Sequence, residues 1–381
     1  MKNLFCIAKK RIFLYFFSAV ITATLIAGCY GCSLSEEKGA VYLGSFLSSD
    51  VYLYLEEGVS EETHANLLNK CSALIEELEY DCSVSSSGCV ALFNALKGGE
   101  KTEISYPVYE IILKSKNIYS KTGGAFDPTV YPLVDLWGFS YRFDNDYLPQ
   151  KPYDRQREQD GSLALPSDSY ITAFSSLVGF DLVSVCEEDG KYYLKKDGAG
   201  VTVDGTTYER AVDLSSVAKG YLTDGLKKIV EDFSVKRYYI SIGTSSLYLG
   251  ERSGGAWATQ FVDPKSPSRE PLCEAEISLK SVSTSGTYEK SYVYEGVLCH
   301  HVIDGATGRS ADSDIVSAVV VGDDGTECDA LSTALVVMGL DRALSFAEKE
   351  SDKDYIFITD TEIYSTLALK NVAKSYVYRR I

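Results

Sequence analysis

The sequence predicts an α+β fold, one compact domain behind an N-terminal export segment, and three observations predict it. Apolar residues recur at helical spacing in several long segments. Short β-rich runs lie between those segments. The two kinds of segment interleave without the regular strand–helix rhythm of a parallel α/β sheet. Composition agrees: of 381 residues, 45% are hydrophobic and 24% charged, a globular balance with ample material for a large core.

Taken in order, the chain opens with Lys2, Lys9, Lys10 and Arg11, then an apolar run from Ile12 to Ala27, then Gly28-Cys29. A charged head, a short apolar stretch and small residues at its end form an export signal rather than a mature transmembrane helix. Ile26-Ala27-Gly28-Cys29 has the form of a bacterial lipobox. Residues 1–28 are therefore expected to be a lipoprotein signal peptide, with Cys29 lipidated and the protein held on the extracytoplasmic face of the cell membrane. An uncleaved N-terminal anchor is the alternative. Residues 29–40, rich in Ser, Glu and Lys from Ser33 onward, read as a tether, which leaves 41–381 for the domain.

Within the domain, Leu67, Leu68, Cys71, Leu74, Ile75 and Leu78 give Glu61–Leu78 a helical face. A second helix is expected after Ser105, with Pro107 in its first turn and Gly123-Gly124 as its stop. Residues 141–169 are polar, carry Pro149, Pro152 and Pro166, and read as a long surface loop. A third helix is expected from Asp213, with Val217, Tyr221, Leu226, Ile229, Val230 and Phe233 on one face. Strands are expected at 237–242 and 315–321, and a last long helix from about Asp329 to Ala347.

The net charge of −17 excludes nucleic acid as the partner, because no segregated basic run offsets it. An acidic protein that binds a phosphorylated ligand needs a metal ion or backbone N–H groups to offset repulsion. The common nucleotide and hydrolase signatures, G-x-x-x-x-G-K-[ST], G-x-G-x-x-G after a strand, H-E-x-x-H and G-x-S-x-G, do not occur. Of ten cysteines, Cys6 lies in the signal segment and Cys29 in the lipobox. Cys29-Tyr-Gly-Cys32 matches C-x-x-C but straddles the lipobox, which weakens a redox or zinc reading; the others lack metal-ligand spacing, some could pair outside the cell, and core packing is the default for most.

Four segments carry chemistry. In Gly124–Phe139 a glycine pair, two prolines and aromatics make a rigid loop, and Asp127 is positioned to accept hydrogen bonds from a ligand or to cap the turn before Pro128. Asp213-Leu-Ser-Ser-Val-Ala-Lys-Gly220 reads as a capped helix start, an anion site with Lys219 as a point charge one turn on; an ordinary capped helix with a solvated lysine is the alternative. His300-His301-Val-Ile-Asp304 holds two of only three histidines, and neighbours on a strand face opposite ways, so one of the two can enter a site. In Asp329-Ala-Leu-Ser-Thr333 a carboxylate and a hydroxyl at i and i+4 share a helix face, a hard-oxygen pair suited to Mg²⁺. The plain alternative there is an acid near a helix start and a buried threonine.

In this order the segments resemble the ApbE family of FAD:protein FMN transferases. The resemblance runs from Val41 to the last helix and rests on Gly124-Ala-Phe-Asp-Pro-Thr-Val130, Pro132–Phe139, Asp213–Tyr221, Ser283-Thr-Ser-Gly-Thr-Tyr288, His301-Val-Ile-Asp304 and Asp329–Thr333. It implies a T-fold-related domain with mixed, largely antiparallel sheets and packed helices. It further implies FAD as substrate and Mg²⁺ as cofactor, with FMN passed through a phosphoester to Thr or Ser of an acceptor protein, membrane redox subunits among the candidates, and AMP released. By position, Leu43, Tyr80, Ala125, Phe126, Asp127, Asp213, Lys219 and Val302 resemble FAD contacts. Ser216, Asp329 and Thr333 resemble the metal positions, and His301 resembles the histidine beside the reacting phosphate. A Mg²⁺-dependent FAD pyrophosphatase and a non-catalytic FAD-binding lipoprotein are the alternatives. Two departures stand out: Gly243 is followed by Thr244-Ser245-Ser246 rather than Gly-Asp, and Asp304 by Gly305 rather than Pro.

Overall fold

The computed structural model describes residues 32–34, 39–140, 165–294 and 296–381. Its described helices are α1 (Glu61–Cys82), α2 (Cys89–Ala95), α3 (Tyr106–Lys121), α4 (Tyr131–Leu136), α5 (Asp168–Ser175), α6 (Ala218–Asp232), α7 (Gly325–Met338) and α8 (Leu340–Lys349). The main sheet has nine strands: β1 (Val41–Phe46), β2 (Ser49–Leu55), β3 (Tyr238–Ile242), β4 (Ser246–Leu249), β5 (Lys280–Gly286), β6 (Ser317–Gly322), β7 (Asp354–Ile358), β8 (Glu362–Ser365) and β9 (Val377–Arg380). Spatial order in this sheet equals chain order. Every neighbouring pair is antiparallel except β8 and β9, which run parallel. The expected α+β fold with largely antiparallel sheets is what forms.

Both faces of the sheet are covered, which explains why its central strands read as continuous apolar runs rather than alternating ones. In β6, Ala318 and Val320 face the core shared with the helices, while Val319 and Val321 face a second core. In β7, Tyr355 and Phe357 divide from Ile356 and Ile358 in the same way. The second core is closed by a small sheet of Cys32–Leu34, Trp257–Val262 and Pro271–Ile277, with Trp257 and Phe261 buried. Residues 32–34, expected to belong to the tether, thus pair antiparallel with Thr259–Phe261. A third cluster joins Leu133, Trp137 and Phe139 to Phe174, Cys299 and Ile303. Trp137 Nε1 donates to the Gly308 carbonyl at 2.8 Å, tying the 124–139 loop to the chain after His301.

Helix α3 forms as expected: Pro107 lies in its first turn, and Gly123 and Gly124 follow with φ of 62° and 84°. Three boundaries differ from expectation. Helix α6 starts at Ala218 rather than Asp213, because the Asp213 carboxylate accepts the Ser215 N–H at 2.8 Å and closes a local turn instead. The last helix is two, α7 and α8, parted at Gly339 with φ of 73°. Helix α7 also begins at Gly325, capped by Asp324, so Asp329 lies inside it rather than at its start. Finally, Asp168–Ser175 is helical rather than loop, while residues 141–164 lie outside the described residues. Cys71, Cys82, Cys89, Cys273, Cys299 and Cys328 are buried free thiols, the packing role expected of most cysteines.

Helices α6 and α7 touch backbone to backbone. A Cβ on Gly220 would stand 2.0 Å from the Gly325 carbonyl oxygen and 2.8 Å from Asp329 Cβ, so only glycine fits at this crossing. Asp224 from α6 accepts from the Gly325 and Thr326 N–H groups at 2.7 and 3.0 Å, satisfying the first donors of α7. This crossing fixes where Asp329 sits.

Candidate active site

A cavity of about 160 Å³ opens where five stretches of chain meet, with Ser245 also lining it. The 125–134 loop supplies Ala125, Phe126, Asp127, Tyr131 and Val134; the turn before α6 supplies Asp213, Ser215, Ser216 and Lys219. The end of β5 and the segment after it supply Thr284, Ser285, Gly286 and Glu289, and His301, Val302 and Ile303 follow. Helix α7 closes the set with Asp329, Thr333 and Val337. Ten of the twelve residues singled out in the sequence thus meet around one space: Ala125, Phe126, Asp127, Asp213, Ser216, Lys219, His301, Val302, Asp329 and Thr333. Leu43 and Tyr80 are not among the lining residues. Leu43 is buried in β1, its carbonyl accepting from Ser72 Oγ at 3.2 Å. Tyr80, 54% exposed at the end of α1, donates its hydroxyl to the Ser87 carbonyl.

Each lining group is held by identifiable contacts. Phe126 is buried, and its N–H donates to Thr122 Oγ1 at 3.2 Å. Asp127 lines the cavity and also caps the turn at Pro128, accepting from Thr129 N and Oγ1 at 2.8 and 2.6 Å. Burial pushes its carboxyl up to about 6, against the pull of those two donors. Lys219 donates its ammonium to the Ser215 carbonyl, one turn back, so it is positioned at the cavity rather than free in solvent.

Asp329 is buried and accepts the Gly220 N–H at 3.0 Å. Burial raises its pKa, while the nearby Lys219 charge and the Gly220 donor oppose that rise. Thr333 Oγ1 lies 3.0 Å from Ser285 Oγ, which is also 2.8 Å from Ser332 Oγ. No local pattern in the sequence marks Ser285 or Glu289 as lining residues, because their place depends on long-range pairing that brings β5 beside the Thr333 turn and the 287–290 segment to the cavity. Glu289 accepts from Thr244 Oγ1 at 3.0 Å, so the altered residues after Gly243 are structurally engaged with the cavity wall.

The two histidines divide, His300 ending its strand and His301 just beyond it. His300 Nε2 meets the Ala311 carbonyl at 3.2 Å inside the protein, whereas His301 borders the cavity. Desolvation, then the Lys290 charge, lower the His301 pKa to about 4, so its ring is neutral near pH 7. Two buried polar atoms on the wall, His301 Nδ1 and Thr284 Oγ1, have no hydrogen-bond partner among the described residues. Buried orphans of this kind are uncommon and suit a ligand that completes them.

The charge balance of the lining bears on a cation. Four carboxylates (Asp127, Asp213, Glu289 and Asp329) face one lysine. Such a wall repels a phosphorylated ligand unless positive charge is added. Asp329 and the Thr333 hydroxyl, one turn apart on α7, give hard oxygen donors of the kind Mg²⁺ takes alongside waters and phosphate oxygens. Among the described residues no group of three or more His, Cys, Asp and Glu side chains forms an all-protein metal cage.

Comparison with known proteins places the chain in a family. The chain is 29% identical over 275 residues to the FAD:protein FMN transferase of Escherichia coli K12, covering 72% of this chain and 71% of that one. It is 27% identical over 311 residues to the FAD:protein FMN transferase of Salmonella typhimurium LT2, covering 81% of each. The flavin transferase ApbE of Vibrio cholerae superposes with a TM-score of 0.67 at 24% identity over 86% of this chain and 97% of its own, a likeness of fold. The ApbE protein of Thermotoga maritima superposes with a TM-score of 0.67 at 21% identity over 87% and 96%. Residues 43–357 match the model of the ApbE family, and the chain belongs to that family.

Proposed function

We propose that the protein is a Mg²⁺-dependent FAD:protein FMN transferase that attaches FMN through a phosphoester to a Thr or Ser hydroxyl of an acceptor protein and releases AMP. The observation that carries this reading is the meeting of the Phe126 loop, the Asp213–Lys219 turn, His301 and the Asp329–Thr333 pair around one cavity. Apolar walls at Phe126, Val134 and Val302 suit an isoalloxazine ring, and the polar floor suits a pyrophosphate. A divalent cation held by Asp329 and Thr333, with Ser216 beside them, would supply charge neutralisation on the pyrophosphate.

The chain's own residues have distinct tasks. Lys219, fixed against the Ser215 carbonyl, offers positive charge to phosphate oxygens. Ser285 orients the Thr333 hydroxyl. The acceptor oxygen attacks the FMN-side phosphorus, the bond from that phosphorus to the bridging oxygen breaks, and AMP leaves with that oxygen. His301, neutral near pH 7, takes the acceptor hydroxyl proton. With water in place of the acceptor, the same path yields FMN and AMP.

Export and lipidation at Cys29 complete the proposal and would place the site outside the cytoplasmic membrane, which makes an exported or membrane-bound protein the acceptor. Co-expression with candidate exported acceptors, followed by mass spectrometry of each, tests the transfer. The expected result is an acceptor heavier by one FMN on a threonine or serine only when this protein is present. Quantitative recovery of intact FAD and unmodified acceptors would contradict it.

A further inference from the structure

Resting on the lipidation of Cys29 within that proposed function, we infer that the turn 263–270 is the protein's membrane seat. A short leash holds this turn against lipid headgroups and brings the cavity end of the main sheet toward the bilayer. Cys32 stands only three residues past Cys29. Fully extended, that stretch spans at most about 11 Å. Cys32–Leu34 is already part of the fold, paired with Thr259–Phe261 at the edge of the small sheet. A leash this short gives the domain no room to hang away from the lipid, so the surface beside the entry point must lie on it.

The pairing says which surface that is. It is antiparallel, with Cys32 opposite Phe261 and Leu34 opposite Thr259, so the chain enters from the Val262 end of its partner strand. At that end the turn 263–270 joins Trp257–Val262 to Pro271–Ile277. The turn is well held. The Asp263 N–H donates to the Glu270 carbonyl at 2.8 Å, the Ser266 N–H to the Asp263 carbonyl at 3.0 Å, and the Tyr376 hydroxyl to Asp263 Oδ1 at 2.9 Å.

One ion pair relates the turn to the cavity: Lys265 meets Asp360 at 3.0 Å. Asp360 lies just past Ile358, which is opposite Ser317 on β6, and Ser317 is opposite Gly286 on β5. Ser285 and Gly286 line the cavity. The turn and the cavity therefore share one end of the main sheet. Gly250, which accepts from Trp257 Nε1 at 2.9 Å, and Ser253 after it lie at the other end. Charge does not supply the seat, since a chain of net charge −17 is not drawn to an anionic bilayer even with Lys265 and Arg269 in the turn. The leash holds it, and lengthening the leash should release it.

The test uses the full-length lipidated protein in phospholipid vesicles, a fraction of whose lipids carry a nitroxide on the headgroup. Both native tryptophans, Trp137 and Trp257, are buried, so an added one reports against a quiet background. In Ser268→Trp, on the exposed part of the turn, the nitroxide lipids should quench the added emission. In Ser253→Trp, at the far end, they should leave it unchanged. A flexible Gly/Ser segment of about twenty residues inserted between Cys29 and Tyr30, with a mean span of about 25 Å, should restore the Ser268→Trp emission. No difference between the two positions, or quenching at Ser268→Trp that survives the insertion, would overturn the seat while leaving the lipidation standing. A mature protein whose mass shows no lipid on Cys29 would overturn the lipidation itself, and the seat with it.

Discussion

At the scale of single residues, environment rather than identity sets the chemistry. His301 is an ordinary imidazole pushed to about 4 by burial and by the Lys290 charge beside it. If its neutral ring takes the acceptor proton, it remains competent from about pH 5 upward, and kcat should show no ionisation near 6.5 from this group. A pH–rate profile of FMN transfer with a limb at 6.5 that disappears in His301→Gln would contradict this. Asp127 moves the opposite way, to about 6. Its folded pKa lies above its unfolded one, so the stability held by its protonated form is full below about 3.8 and lost as pH rises through about 6. The unfolding free energy of Asp127→Asn relative to wild type should therefore improve by at most about 3 kcal/mol between pH 4 and 7. Parallel denaturation curves for the two proteins across that range would refute it. The sequence made the Asp329 and Thr333 pairing legible, because i and i+4 share a helix face whatever surrounds them. It left two roles for Asp127 open, and the carboxylate fills both, capping Pro128 while lining the cavity.

Among the elements, helix existence was legible and helix ends were not. The periodicity of Leu67, Cys71, Ile75 and Leu78 marks α1, and all four are buried. The start of α6 depends on whether the Asp213 side chain caps a helix or closes a turn with Ser215, two local bonds of similar strength that sequence alone does not rank. The Gly220–Gly325 contact was invisible for another reason: it joins residues about a hundred positions apart. Its consequence is sharp. Gly220→Ala places a methyl 2.0 Å from the Gly325 carbonyl and forces α6 off α7, taking the Gly220 N–H away from Asp329. Chemical denaturation should show a loss of about 3 kcal/mol, together with weaker FAD cleavage. Wild-type stability in this variant would mean that the crossing is looser than its geometry states.

For the whole molecule, the fold class followed from pattern but the sheet order did not. Strands β2 and β3 pair Leu55 with Tyr238, and the intervening chain forms six of the helices described. Local periodicity holds no record of such pairing; it is decided by burying both faces of the sheet at once. The same assembly draws five separated segments onto one cavity. The proposed N-terminal lipoprotein signal belongs to this scale as well: if it anchors the protein, Cys29→Ser should move it from the membrane fraction to the soluble extracytoplasmic fraction without changing its FAD cleavage. Continued membrane association would argue for an uncleaved anchor. The most direct test of the site itself is AMP release from FAD by the wild-type protein and by Asp329→Asn, with Mg²⁺ and with the metal chelated. Asparagine keeps an oxygen for the Gly220 N–H, so the fold is retained while the charge that would hold the cation is lost. AMP from wild type only with Mg²⁺, and a fall of at least about a hundredfold in the variant, is the expected result. Near-wild-type AMP release by Asp329→Asn at saturating Mg²⁺, or metal-independent release by the wild type, would contradict a cation held at Asp329 and Thr333.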